Sequence, residues 1–219
     1  MTGRHTGAEP EPAGMRQSDD IEGYGLQQRM EPIEAHSANG LPNWRAPTQA
    51  DALPDDPVLR EWLQDRGSLT RRLREAGKRD FSLSVLGETM EVASEEDRRL
   101  LDCKERHIRV RRVRLACDAI ELVLACTLMP RSTLLRHPWL KNLGDQPLGE
   151  ALADRDSVER TDFEYAWIEP GHPLLSHALP VTGPTAGGLW ARRSRFLVDG
   201  SPILVYEVFL PGLSRIGAC

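Results

Sequence analysis

Six runs of this chain read as strands: FSLSVLGETM, which alternates apolar and polar positions, then IRVRRVRLAC, ELVLACTLM, FEYAWIE, RRSRFLV and PILVYEVFL. Alternation with period two predicts β-strands. The second and third runs flank the short turn Asp118, Ala119, Ile120, and the last two flank Asp199 and Gly200. Each pair predicts a hairpin, and the Asp-Gly turn is the strong signal. Ahead of Phe81 the spacing changes to that of helices. Asp55 or Asp56 caps a helix with Pro57 in its first turn and Val58, Leu59, Trp62 and Leu63 on one face. Gly67 breaks it. Ser68 caps a second helix with Leu69, Leu73 and Ala76 on one side, and Gly77 stops it. Shorter helical pieces are predicted around 132–137 and 147–153. Strands joined mainly by hairpins, with a few helices set apart, predict an α+β fold on an antiparallel sheet of about six strands.

Two segments lack this patterning. Residues 1–50 are rich in Gly, Pro, Glu and Gln, which predicts a disordered N-terminal extension before a folded domain at 51–219. Residues 170–188 form a long Pro/Gly-rich stretch, either a lid or a solvated insertion.

Composition removes several function classes. A net charge of −5 lacks the basic excess of a nucleic-acid binder. Lysine occurs at Lys78, Lys104 and Lys141, and arginine supplies the other 25 of 28 basic side chains. The bland reading of that bias is genome composition; the functional reading, confined to particular positions, is carboxylate recognition. Cys103, Cys117, Cys126 and Cys219 form no CxxC pair, and no histidine stands at zinc spacing from them. They read as reduced thiols, which suits the cytoplasm. The start MTGRHTGAEPEPAG has no apolar h-region, and no apolar run approaches the ~20 residues of a membrane helix. There is no GxSxG, P-loop, post-strand GxGxxG or HExxH.

What remains is polar groups in apolar strands. Ile203, Val205 and Phe209 alternate with Leu204, Tyr206, Val208 and Leu210, so this strand is covered on both sides. Glu207 sits in its middle, on the Ile203 face. A buried carboxylate needs a paired charge or a polar cavity, and alternation alone leaves both open. Arg111 shares a face with Val113 and Leu115, whereas Arg112 and Arg114 point the other way. Ser68–Leu69 and Pro147–Leu148 open helical turns whose first amides have no intrahelical acceptor and attract anions.

Taken in order, WLQDRGSLTRRL, VRRVRLACD, LGDQPLGEAL, RRSRF and PILVYEVFLP resemble the chorismate pyruvate-lyase family, which makes 4-hydroxybenzoate for ubiquinone. The likeness spans about 59–211. It implies a single six-stranded antiparallel sheet with helices on one side and a buried site under flap-like segments. It implies that Arg111 grips the ring carboxylate, that Glu207 stands near the 4-hydroxyl, and that backbone groups at Leu69 and Leu148 complete the site. Arg111 and Glu207 would then be catalytic, with Arg111 across the sheet as partner of Glu207. Arg192 or Arg193 would meet a second carboxylate or bridge at the rim. The resemblance implies chorismate as substrate, pyruvate and 4-hydroxybenzoate as products, no cofactor or metal, no nucleic acid, and a closed site compatible with a monomer. Arg112 departs from the family, which often has an acidic residue there. Alanine at Glu207 or Arg111 is expected to cut turnover and leave the fold intact. The same fold also serves as an effector-sensing domain of bacterial regulators; residues 1–50 show no helix-turn-helix pattern and no basic patch, so the alternative is a non-catalytic ligand-sensing domain without its DNA-binding part.

Overall fold

The computed structural model describes residues 3, 42–48, 53–77, 80–175 and 187–216. The chain divides into Met1–Glu31 and Pro32–Cys219, and the architecture that follows belongs to the second unit. Its strands are β1 (Phe81–Val92), β2 (His107–Cys117), β3 (Ile120–Met129), β4 (Val158–Arg160), β5 (Glu164–Ile168), β6 (Leu189–Val198) and β7 (Ser201–Phe209). They form one antiparallel sheet in the order β1-β2-β3-β7-β6-β4, with β5 paired to the first half of β6. The sheet therefore has seven strands rather than six. The extra one, β4, is three residues long, too short for alternation to reveal.

Both predicted hairpins form. Asp118 and Ala119 have φ of 51° and 62°, and Asp199 and Gly200 have 45° and 72°. Two consecutive left-handed residues match the twist of the flanking strands. The second loop fixes the β6–β7 register, in which Val198 faces Ser201 and Arg192 faces Glu207.

The helices are α1 (Pro57–Gln64), α2 (Leu69–Ala76), α3 (Glu95–Leu100), α4 (Arg131–Arg136) and α5 (Leu148–Ala153). Asp56 caps α1 by accepting from the amides of Val58 and Leu59 at 2.9 and 3.2 Å. Ser68 caps α2 through Arg71. Gly77 closes α2, and a Cβ there would strike the Cys117 side chain on β2, so glycine lets the helix end seat on the sheet. On that face Trp62, Leu63, Leu69 and Leu73 pack against Val113, Leu115 and Phe209. Farther along, Leu134 of α4 and Leu152 of α5 pack with Met129, Val198 and Ile203. The opposite face carries Val110, Leu128, Leu204 and Tyr206, covered by Leu101 just after α3.

Leu73 is fully buried where α2 meets β2. Leu73→Ala is expected to lose about 2–5 kcal/mol, read as a lower urea midpoint with unchanged m-value.

Within the first fifty residues, Arg45 makes a backbone bridge to Tyr165, and Trp44 stacks on Tyr206 with centroids 5.5 Å apart. The rest of that segment, apart from Gly3 and 42–48, lies outside the described residues, as do 176–186 of the loop and Cys219.

Candidate active site

A cavity of about 470 Å³ opens on the face covered by α2 and α5. Arg111, Glu207, Leu69 and Leu148 all line it, joined by Arg192 and Arg160. Its apolar wall comes from Val113, Leu115, Val205 and Phe163. Glu207 is the one carboxylate among the described lining residues, against six arginines.

Strand alternation points Arg111 inward from β2, where it is 2% exposed. Its Nη1 donates to Glu88 of β1 at 2.5 Å, and its Nη2 donates to the Gly144 carbonyl at 2.7 Å and, more weakly, to that of Gln146 at 3.4 Å. A guanidinium has five N–H donors, so these contacts hold the head group and leave donors for a ligand. Burial pulls its pKa below the usual arginine value, and Asp145 works against that shift. Arginine stays cationic regardless.

The partner of Glu207 is Arg192, not Arg111. Arg111 lies opposite Thr127 and, one strand on, Val205, two residues away from Glu207 along β7. Arg192 stands directly across β6–β7, and its Nε donates to Glu207 at 2.5 Å. Nor does Arg192 bridge at the rim: it is 1% exposed. Its Nη1 donates to the carbonyls of Trp62, Leu63 and Asp65 at 3.1, 3.0 and 2.8 Å. These are carbonyls at the C-terminal end of α1, which have no intrahelical donor and favour a cation. The Phe163 ring lies 4.1 Å from its guanidinium carbon. Arg193 projects to the other face, where Glu164 and Glu96 lie 2.7 and 2.9 Å away. Arg112 also points there and pairs with Glu91, as alternation predicts. Beside it, burial pushes the Cys126 thiol up to about 12.

The two helix starts meet at the cavity. The first intrahelical bond of α2 runs from Arg72 to Ser68 at 3.0 Å, so the amides of Leu69 and Thr70 precede it. That of α5 runs from Ala151 to Pro147 at 3.1 Å, so Leu148 and Gly149 precede it, and Pro147 offers no side-chain cap. These amides lie at a wall where an anion or carbonyl oxygen would be stabilised.

Sequence reasoning missed Glu88 and Gly144 as anchors of Arg111, and Arg160 as a lining cation. It also placed Arg192 wrongly, although a signal existed. Counting back from a two-residue Asp199–Gly200 loop pairs Arg192 with Glu207.

An antiparallel α+β fold with a walled, arginine-rich cavity, one central carboxylate and unused helix amides defines a pocket for a small organic anion. Residues 41–216 match the family described as Chorismate lyase, and the chain belongs to that family. A "Probable chorismate pyruvate-lyase" of Thiobacillus denitrificans is 41% identical over 159 residues, covering 71% of this chain and 84% of the relative. One of the same name from Nitrosospira multiformis is 34% identical, covering 73% and 90%. Among solved structures, the effector domain of PhnF from Mycobacterium smegmatis aligns at 14% identity with a TM-score of 0.48, over 66% of this chain and 89% of that one. Family membership makes the chain a carbon–oxygen lyase acting on a small molecule. Among the described residues no helix is long and apolar enough to cross a membrane.

Proposed function

We propose that this protein eliminates pyruvate from chorismate to give 4-hydroxybenzoate, in the cytoplasm, as the first committed step of ubiquinone biosynthesis. The observation that carries this reading is the joint presence of Arg111 and Glu207 on one cavity wall, two strands apart. Two strand intervals separate their backbones by ~10 Å. That spacing suits a benzenoid acid whose hydroxyl stands para to its carboxylate, with Arg111 at one end and Glu207 at the other.

In the reaction the C4–H and C3–O bonds break. The C–H electron pair enters the ring and makes it aromatic, and the C3–O pair departs with enolpyruvate as its enolate. The one proton released from C4 is balanced by the one taken up at the enolate's methylene carbon, which gives pyruvate. Aromatisation supplies the driving force, so the protein's task is to orient a dianion and stabilise departing charge. Arg111 takes the ring carboxylate through charge-assisted bonds. Glu207, held as half of an ion pair, accepts from the C4 hydroxyl and fixes the ring so that C4–H and C3–O stand correctly. The amides of Leu69 and Leu148 contribute fixed donors. No metal or cofactor has a part in this scheme.

The test is direct. Purified protein incubated with chorismate is expected to release pyruvate and 4-hydroxybenzoate in equal amounts, followed by chromatography. Tight binding of chorismate without turnover, or a different hydroxybenzoate, would refute the assignment.

A further inference from the structure

The cavity holds more positive charge than the groups assigned so far use. Chorismate carries a second carboxylate on its enolpyruvyl arm, and Arg111 meets only the ring carboxylate. Arg192 is committed to Glu207 and three carbonyls. Arg193 is on the opposite face. Of the other lining arginines, Arg66 pairs with Asp162 at 2.5 Å and Arg71 with Glu75 at 3.8 Å, both at the surface. Arg155 sits over the Trp139 ring at 3.5 Å and donates to the Ala151 carbonyl, beyond the end of α5, and it too bonds no carboxylate among the described residues.

Arg160 differs from these three in standing on a strand of the sheet, between two aromatic rings. It stands on β4, opposite Phe196, and is half-buried. Its guanidinium carbon lies 4.6 Å from the Phe163 ring and 5.7 Å from that of Phe196. It donates to the carbonyls of Arg66 and Gly67, and no carboxylate bonds it among the described residues. Burial draws its pKa below the usual arginine value; Arg192 adds to that and Glu207 opposes it, so Arg160 lies within the field of the ion pair. Its hydrogen-bond acceptors are neutral, and the two carboxylates that act on it at longer range, Glu207 and Asp65, make no bond to it among the described residues.

We propose that Arg160 binds the second carboxylate of chorismate, the one that leaves with pyruvate. This rests on the reading of the cavity as the chorismate site. Arg111 and Arg160 stand on β2 and β4, at opposite ends of the path β2-β3-β7-β6-β4. Four strand intervals separate their backbones by ~19 Å along the sheet, and both long side chains reach the same cavity. Glu207, on β7, lies between them. A dianion bridging the two arginines therefore brings its ring hydroxyl to Glu207. As C3–O breaks, negative charge grows on the enolpyruvate, and a guanidinium already on its carboxylate stabilises it.

The test compares the full-length protein with Arg160→Gln and Arg160→Lys, using chorismate kinetics and 4-hydroxybenzoate calorimetry. Arg160→Gln is expected to lower kcat/KM for chorismate at least ~10-fold, the loss of one charge-assisted contact, with affinity for 4-hydroxybenzoate within about twofold. The product lacks the second carboxylate, so its binding also reports that the variant is folded. Arg160→Lys should recover part of the loss. Wild-type-like kcat/KM in Arg160→Gln would overturn the assignment. So would an equal fall in 4-hydroxybenzoate affinity, which is the mark of a strut between β4 and the α1–α2 loop. A wild-type protein that neither binds nor converts chorismate would instead overturn the underlying reading, and this assignment with it.

Discussion

Glu207→Ala is expected to lose both turnover and stability, whereas Glu207→Gln should lose turnover with a smaller loss of stability. Alanine leaves the Arg192 guanidinium 1% exposed with no salt-bridged carboxylate among the described residues, Asp65 acting on it only at longer range. Its three carbonyl partners remain, but they are dipoles, not charges. Removing one member of a buried ion pair costs about 3–5 kcal/mol. The carboxylate keeps 17% exposure in an open cavity, so the lower end applies. About 3 kcal/mol corresponds to a Tm roughly 6–12 °C lower in a chain of this size. Glutamine keeps the shape and an acceptor oxygen for Arg192 Nε, which softens that loss. It weakens the acceptor offered to the C4 hydroxyl, and kcat/KM should fall on the order of 10–100-fold. Thermal melts and chorismate kinetics on both variants separate the two effects. An alanine variant melting like wild type would contradict the ion pair, and a fully active glutamine variant would remove Glu207 from the site. The expectation from sequence that alanine at Glu207 leaves the fold intact is revised for this reason.

That revision marks where the sequence stopped being informative. Alternation exposed β1, and apolar runs bounded by turn residues exposed the other long strands. Both missed β4, whose three residues complete no pattern, and α3, whose EEDRRL sequence buries no residue and so presents no apolar face. Parity along β2 put Arg111 with Val113 and Leu115, and parity along β7 put Glu207 with Ile203 and Val205. It was the family resemblance that brought the two to one cavity and paired them, and neither gave their distance along the strands. The anchoring of Arg111 by Glu88 was harder to read. A one-residue slip in register reverses the faces of a strand, and β1 carries such a shift between Val85 and Gly87. Without that bulge, Glu88 would not face Arg111. Arginines of the RRSRF run also looked like surface charges until α1 was seen to end on one of them.

Arg111→Ala should give the opposite balance, with function lost and the fold kept. Its removal does not strand a charge, because Glu88 is also bonded by Arg109. The Gly144 carbonyl loses a donor but belongs to an exposed residue that water can reach. Stability should therefore change by no more than about 1–2 kcal/mol, the cost of one unmade hydrogen bond. Binding suffers more, since the ring carboxylate would enter an apolar-walled cavity without its counter-charge. Truncating one partner of a buried charged pair costs roughly 2–5 kcal/mol, on the order of 30- to 4,000-fold in kcat/KM. Affinity for 4-hydroxybenzoate should fall in parallel, because substrate and product share that carboxylate. This distinguishes Arg111 from Arg160, whose loss spares the product. Arg111→Lys should recover little: one ammonium cannot satisfy Glu88, Gly144 and a two-pronged carboxylate together. Product affinity that survives Arg111→Ala would mean the carboxylate binds elsewhere in the cavity, and the orientation that brings the hydroxyl to Glu207 would fall with it.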